Sequence, residues 1–310
     1  MRRRGSSPPS SRGPGRPARV AAALALLITA LAGCTALPDA FTCTSSAQCA
    51  LGDTPGVCEL DGRCSAADPG CASGRRYVAA GERADTCVAA DGAPGGPSLC
   101  AALGGVLCEG FEDATVGSAW DVFVPNAAYE RTSGRAARGA ASGHFALAAA
   151  GATGRTYGEL GAPTVPATGT VAARAFFFLP TAPPYAASRL LAVRQTEGAF
   201  RHIQLGFAGG TLALHSSITG TNRVSAVALP TGRWFCLELE VTYGQPGTVR
   251  SYLDGAELTA LRLDETTAAS PPTSGFYLGL AIDDPGTPAP AYEYWVDEVA
   301  FDTTRVGCAR

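Results

Sequence analysis

Lysine is missing altogether: all 24 basic residues are arginine. Methionine occurs once, histidine three times and tryptophan three times in 310 residues. Charged residues make up only 16% of the chain, and acid outweighs base for a formal net charge of −3. That balance argues against nucleic acid or anionic lipid as a partner, since both demand dense positive charge. The lysine gap accompanies abundant Ala, Gly, Pro and Arg, and it follows from a base-composition bias rather than from a function. Long hydrophobic runs are also missing. The longest stretch, Val20 to Leu31, has twelve residues, short of the roughly 20 that a membrane-spanning helix needs. No amphipathic helical stretch of useful length occurs. No glycine-rich phosphate loop precedes a helix, and no serine sits in a nucleophile-elbow context. His144 and His215 have no partner pattern around them.

The amino terminus carries Arg2, Arg3, Arg4, Arg12, Arg16 and Arg19 and no acid. A basic leader, a short apolar run and the small pair Ala32-Gly33 form the pattern of a secretory signal. The stretch Leu31-Ala32-Gly33-Cys34 resembles the lipobox of bacterial lipoproteins. The resemblance implies cleavage before Cys34, acylation of its thiol and a lipid-anchored, exported chain. Thr35 follows the cysteine, which by the same analogy implies the outer membrane of the cell envelope. Without the leader, 18 arginines face 27 acids, a formal charge of −9.

Eleven cysteines are present: Cys34, Cys43, Cys49, Cys58, Cys64, Cys71, Cys87, Cys100, Cys108, Cys236 and Cys308. With Cys34 acylated, ten remain, an even set that reads as disulfides in an exported protein. A zinc site is disfavoured, because the spacings are too wide and no histidine precedes His144.

The chain divides by composition into a signal peptide (1–33), a tether (34–42), a cysteine-rich module (43–87), a Pro/Gly linker (88–99) and a β domain (100–310). The module is too small to bury a core, so cross-links must stand in for one. Its six cysteines allow fifteen pairings. Cys58-Glu59-Leu60-Asp61-Gly62-Arg63-Cys64-Ser65 resembles cysteine-rich modules of exported myxobacterial proteins. Beyond the linker, short alternating segments recur with turn residues between them. Phe235, Leu237, Leu239 and Val241 alternate with Cys236, Glu238, Glu240 and Thr242. Ile203, Leu205 and Phe207 alternate with His202, Gln204 and Gly206. Further strands are expected near 106–112, 119–124, 142–148, 155–160, 170–179, 188–195, 211–215, 222–229, 249–253, 274–282 and 291–302. Many short strands predict an all-β sandwich or jelly roll, each sheet with one buried and one wet face.

Three segments resemble the concanavalin A-like jelly roll shared by legume lectins, laminin G modules, glucanases and lyases. They are Leu107-Cys108-Glu109-Gly110-Phe111-Glu112-Asp113, Gly232-Arg233-Trp234-Phe235 with Asp254-Gly255 beyond it, and Tyr294-Trp295-Val296-Asp297-Glu298. The resemblance implies that the opening strand pairs near the closing one. It also implies a structural calcium between them, with Glu112 and Asp297 as ligands, and no other cofactor. Cys100, Cys108, Cys236 and Cys308 allow three pairings. Pinning the carboxy terminus favours Cys236–Cys308 with Cys100–Cys108.

Fold alone does not choose a function. The reading preferred from sequence is a non-catalytic domain that binds a glycan or an envelope partner through His202, Gln204, Glu238, Arg250 and Tyr252. Tyr157 and Tyr185 are added as loop aromatics, while Trp120, Trp234 and Trp295 read as core. A purely structural or protein-interaction module is the first alternative. A polysaccharide lyase or hydrolase is the second. Against a hydrolase, Glu238 and Glu240 lack the carboxylate pattern of glucanases of this fold. Against a lyase, His202-Ile203-Gln204 reverses the familiar Gln-Ile-His order.

Overall fold

A computed structural model describes residues 41–308, apart from 44–45, 51–53, 72, 79–82, 90–97, 104–106, 166–168, 196–200, 265–266, 268–273, 284 and 286. Cys34 and most of the 88–99 linker lie outside these residues. Among the described residues there is no α-helix, and no helix long and apolar enough to cross a membrane.

Three short strands, β1 (Val57–Cys58), β2 (Cys64–Ala67) and β3 (Arg75–Tyr77), build the cysteine-rich segment. Its disulfides are Cys43–Cys58, Cys49–Cys64 and Cys71–Cys87. The sulfurs of Cys43, Cys49 and Cys58 cluster closely enough for a metal site, but all three are spent in disulfide bonds.

The rest is an antiparallel sandwich. Its strands are β4 (Leu107–Glu109), β5 (Asp121–Phe123), β6 (Ala127–Thr132), β7 (Ser142–Leu147), β8 (Arg155–Val165) and β9 (Thr170–Phe178). There follow β10 (Ala187–Gln195), β11 (Arg201–Ala208), β12 (Thr211–Ser216), β13 (Thr221–Ala228), β14 (Trp234–Thr242) and β15 (Thr248–Leu253). The chain closes with β16 (Ala256–Glu257), β17 (Ser274–Asp283) and β18 (Tyr292–Asp302). One sheet has seven strands in the order β13-β12-β11-β10-β17-β8-β5. The other runs β16-β15-β14-β9-β18-β7-β6, with β4 also paired to β18. The opening strand therefore lies against the closing one, Glu109 opposite Val299.

The alternating apolar sets meet between the sheets. Ile203, Leu205, Phe207, Phe276 and Leu278 face Phe177, Phe235, Leu237, Leu239 and Tyr294 in one core. Trp120 closes its edge against Phe276 in an edge-to-face contact. Tyr294 is fully buried and crosses the sandwich, donating its hydroxyl to the Gly158 carbonyl and accepting from the Leu280 amide. Asp254 and Gly255 both take positive φ (50° and 82°), the conformation a tight right-twisted hairpin requires.

The expectation of one wet face per sheet fails for the eight-stranded sheet. Phe176, Phe178, Trp234, Cys236 and Cys308 form a second apolar cluster on its outer side, covered by Leu60, Leu99 and Ala137. Leu60 belongs to the cysteine-rich segment, so that segment packs directly on the sandwich. β9 and β14 are consequently buried on both faces over most of their length. Strand β6 was absent from the sequence expectation. It is an edge strand with alternating exposure and a single aromatic, Tyr129, so its signal is weak. Disulfides Cys100–Cys108 and Cys236–Cys308 tie the two ends of the sandwich.

Candidate functional site

The five residues proposed from sequence as one ligand face do not share a face. Glu238, Arg250 and Tyr252 lie on β14 and β15 of the eight-stranded sheet, whereas His202 and Gln204 lie on β11 of the seven-stranded one. This corrects the sequence grouping. Alternation identifies a face but not which sheet carries it.

The first three are also structurally committed. Glu238 is 2% exposed. It accepts two bonds from the Arg305 guanidinium at 3.0 and 2.6 Å and one from the Gly307 amide at 2.9 Å. Tyr252 pairs with Glu238 across the ladder, and its ring lies 3.6 Å beneath the Arg305 guanidinium carbon. Together they clasp the carboxy-terminal tail. Arg250 donates to the carbonyls of Val249 and Leu263 and to Asp264 at 2.6 Å, fastening the segment after β16. Glu238 is closed off by the tail, so its glucanase-type use has no access to solvent, while the partly buried Arg250 and Tyr252 are engaged by Asp264 and Arg305.

Glu112 and Asp297 both anchor the loop before β7. Asp297 is buried and accepts from the amides of Ala137 (2.8 Å), Arg138 (3.1 Å) and Glu298 (2.8 Å). Burial pushes its pKa well up, while those donors pull it down. Glu112 accepts from the Ala140 amide with both oxygens at 3.0 Å. Both carboxylates are thus engaged by backbone N–H groups of the same loop, which gives each a structural duty that needs no calcium.

The outer face of the seven-stranded sheet is different. Across its ladders, Tyr277 stands opposite Ala192, Ala192 opposite Gln204, Gln204 opposite His215, and His215 opposite Asn222. Arg194 stands opposite His202. A groove of about 740 Å³ runs over β10 to β13, lined among others by Tyr185, Arg189, Gln204, His215, Asn222 and Val224. A small recess beside it is lined by Arg189, Ala192, Arg194, His202, Gln204 and Tyr277. These side chains come together because small residues sit between them. The Tyr277 ring lies over Gly161 and Gly275, where any Cβ would fall 2.9 Å from it.

The electrostatics are cationic and hydrogen-bonding. The Arg194 guanidinium carbon lies 5.1 Å from the Tyr277 ring centre. Arg189 bonds the buried Glu159 at 2.6 Å. Burial raises the Glu159 pKa, and Arg189 and Arg194 pull it back. The His202 and His215 rings are 5.2 Å apart. Burial first, then the neighbouring His215 and the two arginines, lower the His202 pKa to about 4. His202 is therefore neutral at pH 7. His215 is fixed by a 2.7 Å contact between its Nδ1 and the Asn222 amide oxygen.

Of the sequence candidates, this face holds His202, Gln204 and the loop tyrosine Tyr185, with Arg194, which precedes His202 in the chain. It adds Arg189, Tyr277, His215 and Asn222. Tyr277 had a readable signal, because in Gly275-Phe276-Tyr277-Leu278 it falls on the polar side of the alternation. Of the tryptophans, Trp120 and Trp234 are core, while Trp295 is half-buried, stacked on His144 at 4.6 Å.

No family model and no curated protein matches the chain. Solved structures do. "Cellulose induced protein, Cip1" is 21% identical, with a TM-score of 0.53 over 65% of this chain and 99% of that chain. The endo-beta-1,4-glucuronan lyase from the fungus Trichoderma reesei is 15% identical, with a TM-score of 0.49 over 64% and 95%. Alginate lyase vAL-1 from Chlorella virus is 11% identical, with a TM-score of 0.47 over 60% and 93%. The first likeness establishes the jelly-roll sandwich fold.

Proposed function

We propose that the groove on the seven-stranded sheet binds an acidic polysaccharide. The observation that carries this reading is the placement of Arg189, held by Glu159, with Gln204, His215 and Asn222 in the groove and of Arg194 with His202 in the recess beside it, on an otherwise acidic chain. Guanidinium groups match a uronate carboxylate, and the amides suit ring hydroxyls. A shallow, open groove fits a polymer better than a small metabolite. Wild-type protein and Arg194→Ala are compared by calorimetry against oligouronates and an uncharged glucan. The uronates are expected to bind and the glucan not. Arg194→Ala is expected to weaken binding by about tenfold to a hundredfold, the loss of a charged hydrogen bond. Equal affinity for the uncharged glucan would overturn the reading.

A second reading is favoured by the recess. A neutral imidazole (His202), a phenol (Tyr277), a guanidinium (Arg194) and an amide (Gln204) border one recess of about 10 Å³, a surface dimple with room for a single water, and are the groups a uronate elimination uses on a sugar lying over them. Arg194 would neutralise the carboxylate and the Gln204 amide would donate a hydrogen bond to it. His202 would take the proton from the carbon beside it, and Tyr277 would protonate the departing glycosidic oxygen. One C–H and one C–O bond break and a carbon–carbon double bond forms. Incubation with polyuronate is expected to raise ultraviolet absorbance from that conjugated bond, with His202→Gln silent yet still binding. No absorbance change in the wild type leaves the binding function without the chemistry.

The leader supports export with lipid attachment at Cys34, and a sugar-binding face held at the cell envelope suits that location. Two or more acyl chains anchor a protein stably. Cys34→Ser is expected to move the protein from the detergent phase to the aqueous phase. Retention with the membrane would rule out this anchor.

A further inference from the structure

The seven-stranded sheet carries a second exposed feature on the same face as the groove. Phe123, on the edge strand β5, is 50% exposed although its neighbours Val122 and Val124 pack on the core. Its ring meets Tyr157 of β8 with centres 5.6 Å apart and a tilt of 48°. The pair is held in place by the backbone. Phe123 is registered opposite Glu159, the Tyr157 amide donates to the Pro125 carbonyl at 3.0 Å, and the Thr156 hydroxyl donates to the Asn126 carbonyl at 2.8 Å. An exposed phenyl on an edge strand costs solubility and invites edge pairing. A flat, amphipathic ligand that covers it accounts for the placement.

The ligand is identified by continuity. Glu159, between the aromatic pair and the groove, bonds Arg189 of the groove. Its partner strand β17 carries Tyr277 two residues from the Glu159 register position. Ala281, which lines the groove, is registered opposite Tyr157, so the groove begins one strand spacing, about 5 Å, from the aromatic pair. That is the reach of a glycan chain already seated in the groove. Sugar rings present an apolar C–H face, and aromatic faces attract it.

We propose that Phe123 and Tyr157 form an aromatic platform that stacks one further sugar ring of the polysaccharide held in the groove. The platform supplies length selectivity, and it rests on the glycan reading above. The test is calorimetry with an oligouronate series from trimer to octamer, on wild type, Phe123→Ala and Phe123→Trp. In the wild type, affinity is expected to rise with length as the chain reaches the platform. Phe123→Ala is expected to lose about tenfold in affinity for the octamer and to leave the trimer unchanged, with Phe123→Trp restoring the octamer. If wild type binds no oligouronate, the glycan reading itself fails. If wild type binds both lengths and Phe123→Ala binds the octamer as tightly, the platform alone is overturned. Sedimentation of the same proteins covers the competing occupant: a wild-type dimer abolished by Phe123→Ala would assign the patch to self-association and overturn the platform.

Discussion

Glu298→Ala is expected to lower stability by about 3–5 kcal/mol, the penalty for stripping a buried charge of its partner. Glu298 is fully buried on the outer side of the eight-stranded sheet. One of its oxygens accepts from the amides of Leu99 (2.9 Å) and Cys100 (3.2 Å) and lies 3.6 Å from the Arg174 guanidinium. Arg174 is also fully buried, and its other nitrogens donate to the carbonyls of Glu298 and Gly307 at 3.1 Å. Burial lowers the Arg174 pKa to about 10, and Glu298 is the largest influence holding it up. Removing the carboxylate leaves a cation inside an apolar layer and the Leu99 amide without an acceptor, while the Cys100 amide keeps the Ser98 hydroxyl at 3.2 Å. For a domain of this size the thermal midpoint is expected to fall by roughly 6–20 °C. Pairing the change with Arg174→Met should recover much of the loss, because an apolar replacement removes the stranded charge. A single Glu298→Ala midpoint within about 2 °C of wild type would show that the pair carries no such burden.

That prediction depends on a layer that alternation in the sequence does not announce. Phe235, Leu237 and Leu239 read correctly as core because their period of two is undisturbed. Glu238, in the same strand, reads as solvent-facing because its side chain is charged. It is buried because the tail brings Arg305 to it across 67 residues. The Asp254-Gly255 turn was legible from a local rule of backbone sterics. The grouping of His202 with Glu238 went astray for a physical reason: alternation assigns a side chain to one face of its strand, while membership of one sheet or the other is fixed by strand order. Strand order also hid most of the groove. Tyr277 and Arg194 meet because β17 inserts between β8 and β10, a pairing that spans some 80 residues. Even so, His202 and Gln204 were legible as a pair on one face, since they sit two apart on the polar side of a clean strand.

Replacing Cys236 and Cys308 together with serine is expected to cost about 4 kcal/mol through the unfolded chain alone. The bond closes a loop of 72 residues, and loop-closure entropy for that length has this magnitude. The folded state loses more. Both sulfurs are buried in the second apolar cluster with Trp234 and Phe178; a hydroxyl at 236 would enter an apolar site, while one at 308 would face Glu238 Oε1, 3.4 Å from the sulfur it replaces. The tail would keep its other fastenings, Arg305 on Glu238 and the Gly307 carbonyl on Arg174. Those hold the end of the chain only while the sheet beneath is intact. The variant should therefore unfold at a lower temperature and expose the terminus to carboxypeptidase before the core opens. The groove lies on the opposite sheet, so oligouronate affinity below the new midpoint should match wild type. A midpoint loss together with unchanged affinity assigns the two faces separate duties: one sheet carries the covering module and the tail, and the other presents the ligand face. Loss of affinity at temperatures where the variant is still folded would mean that the two sheets act as one unit, and the division of labour would be wrong.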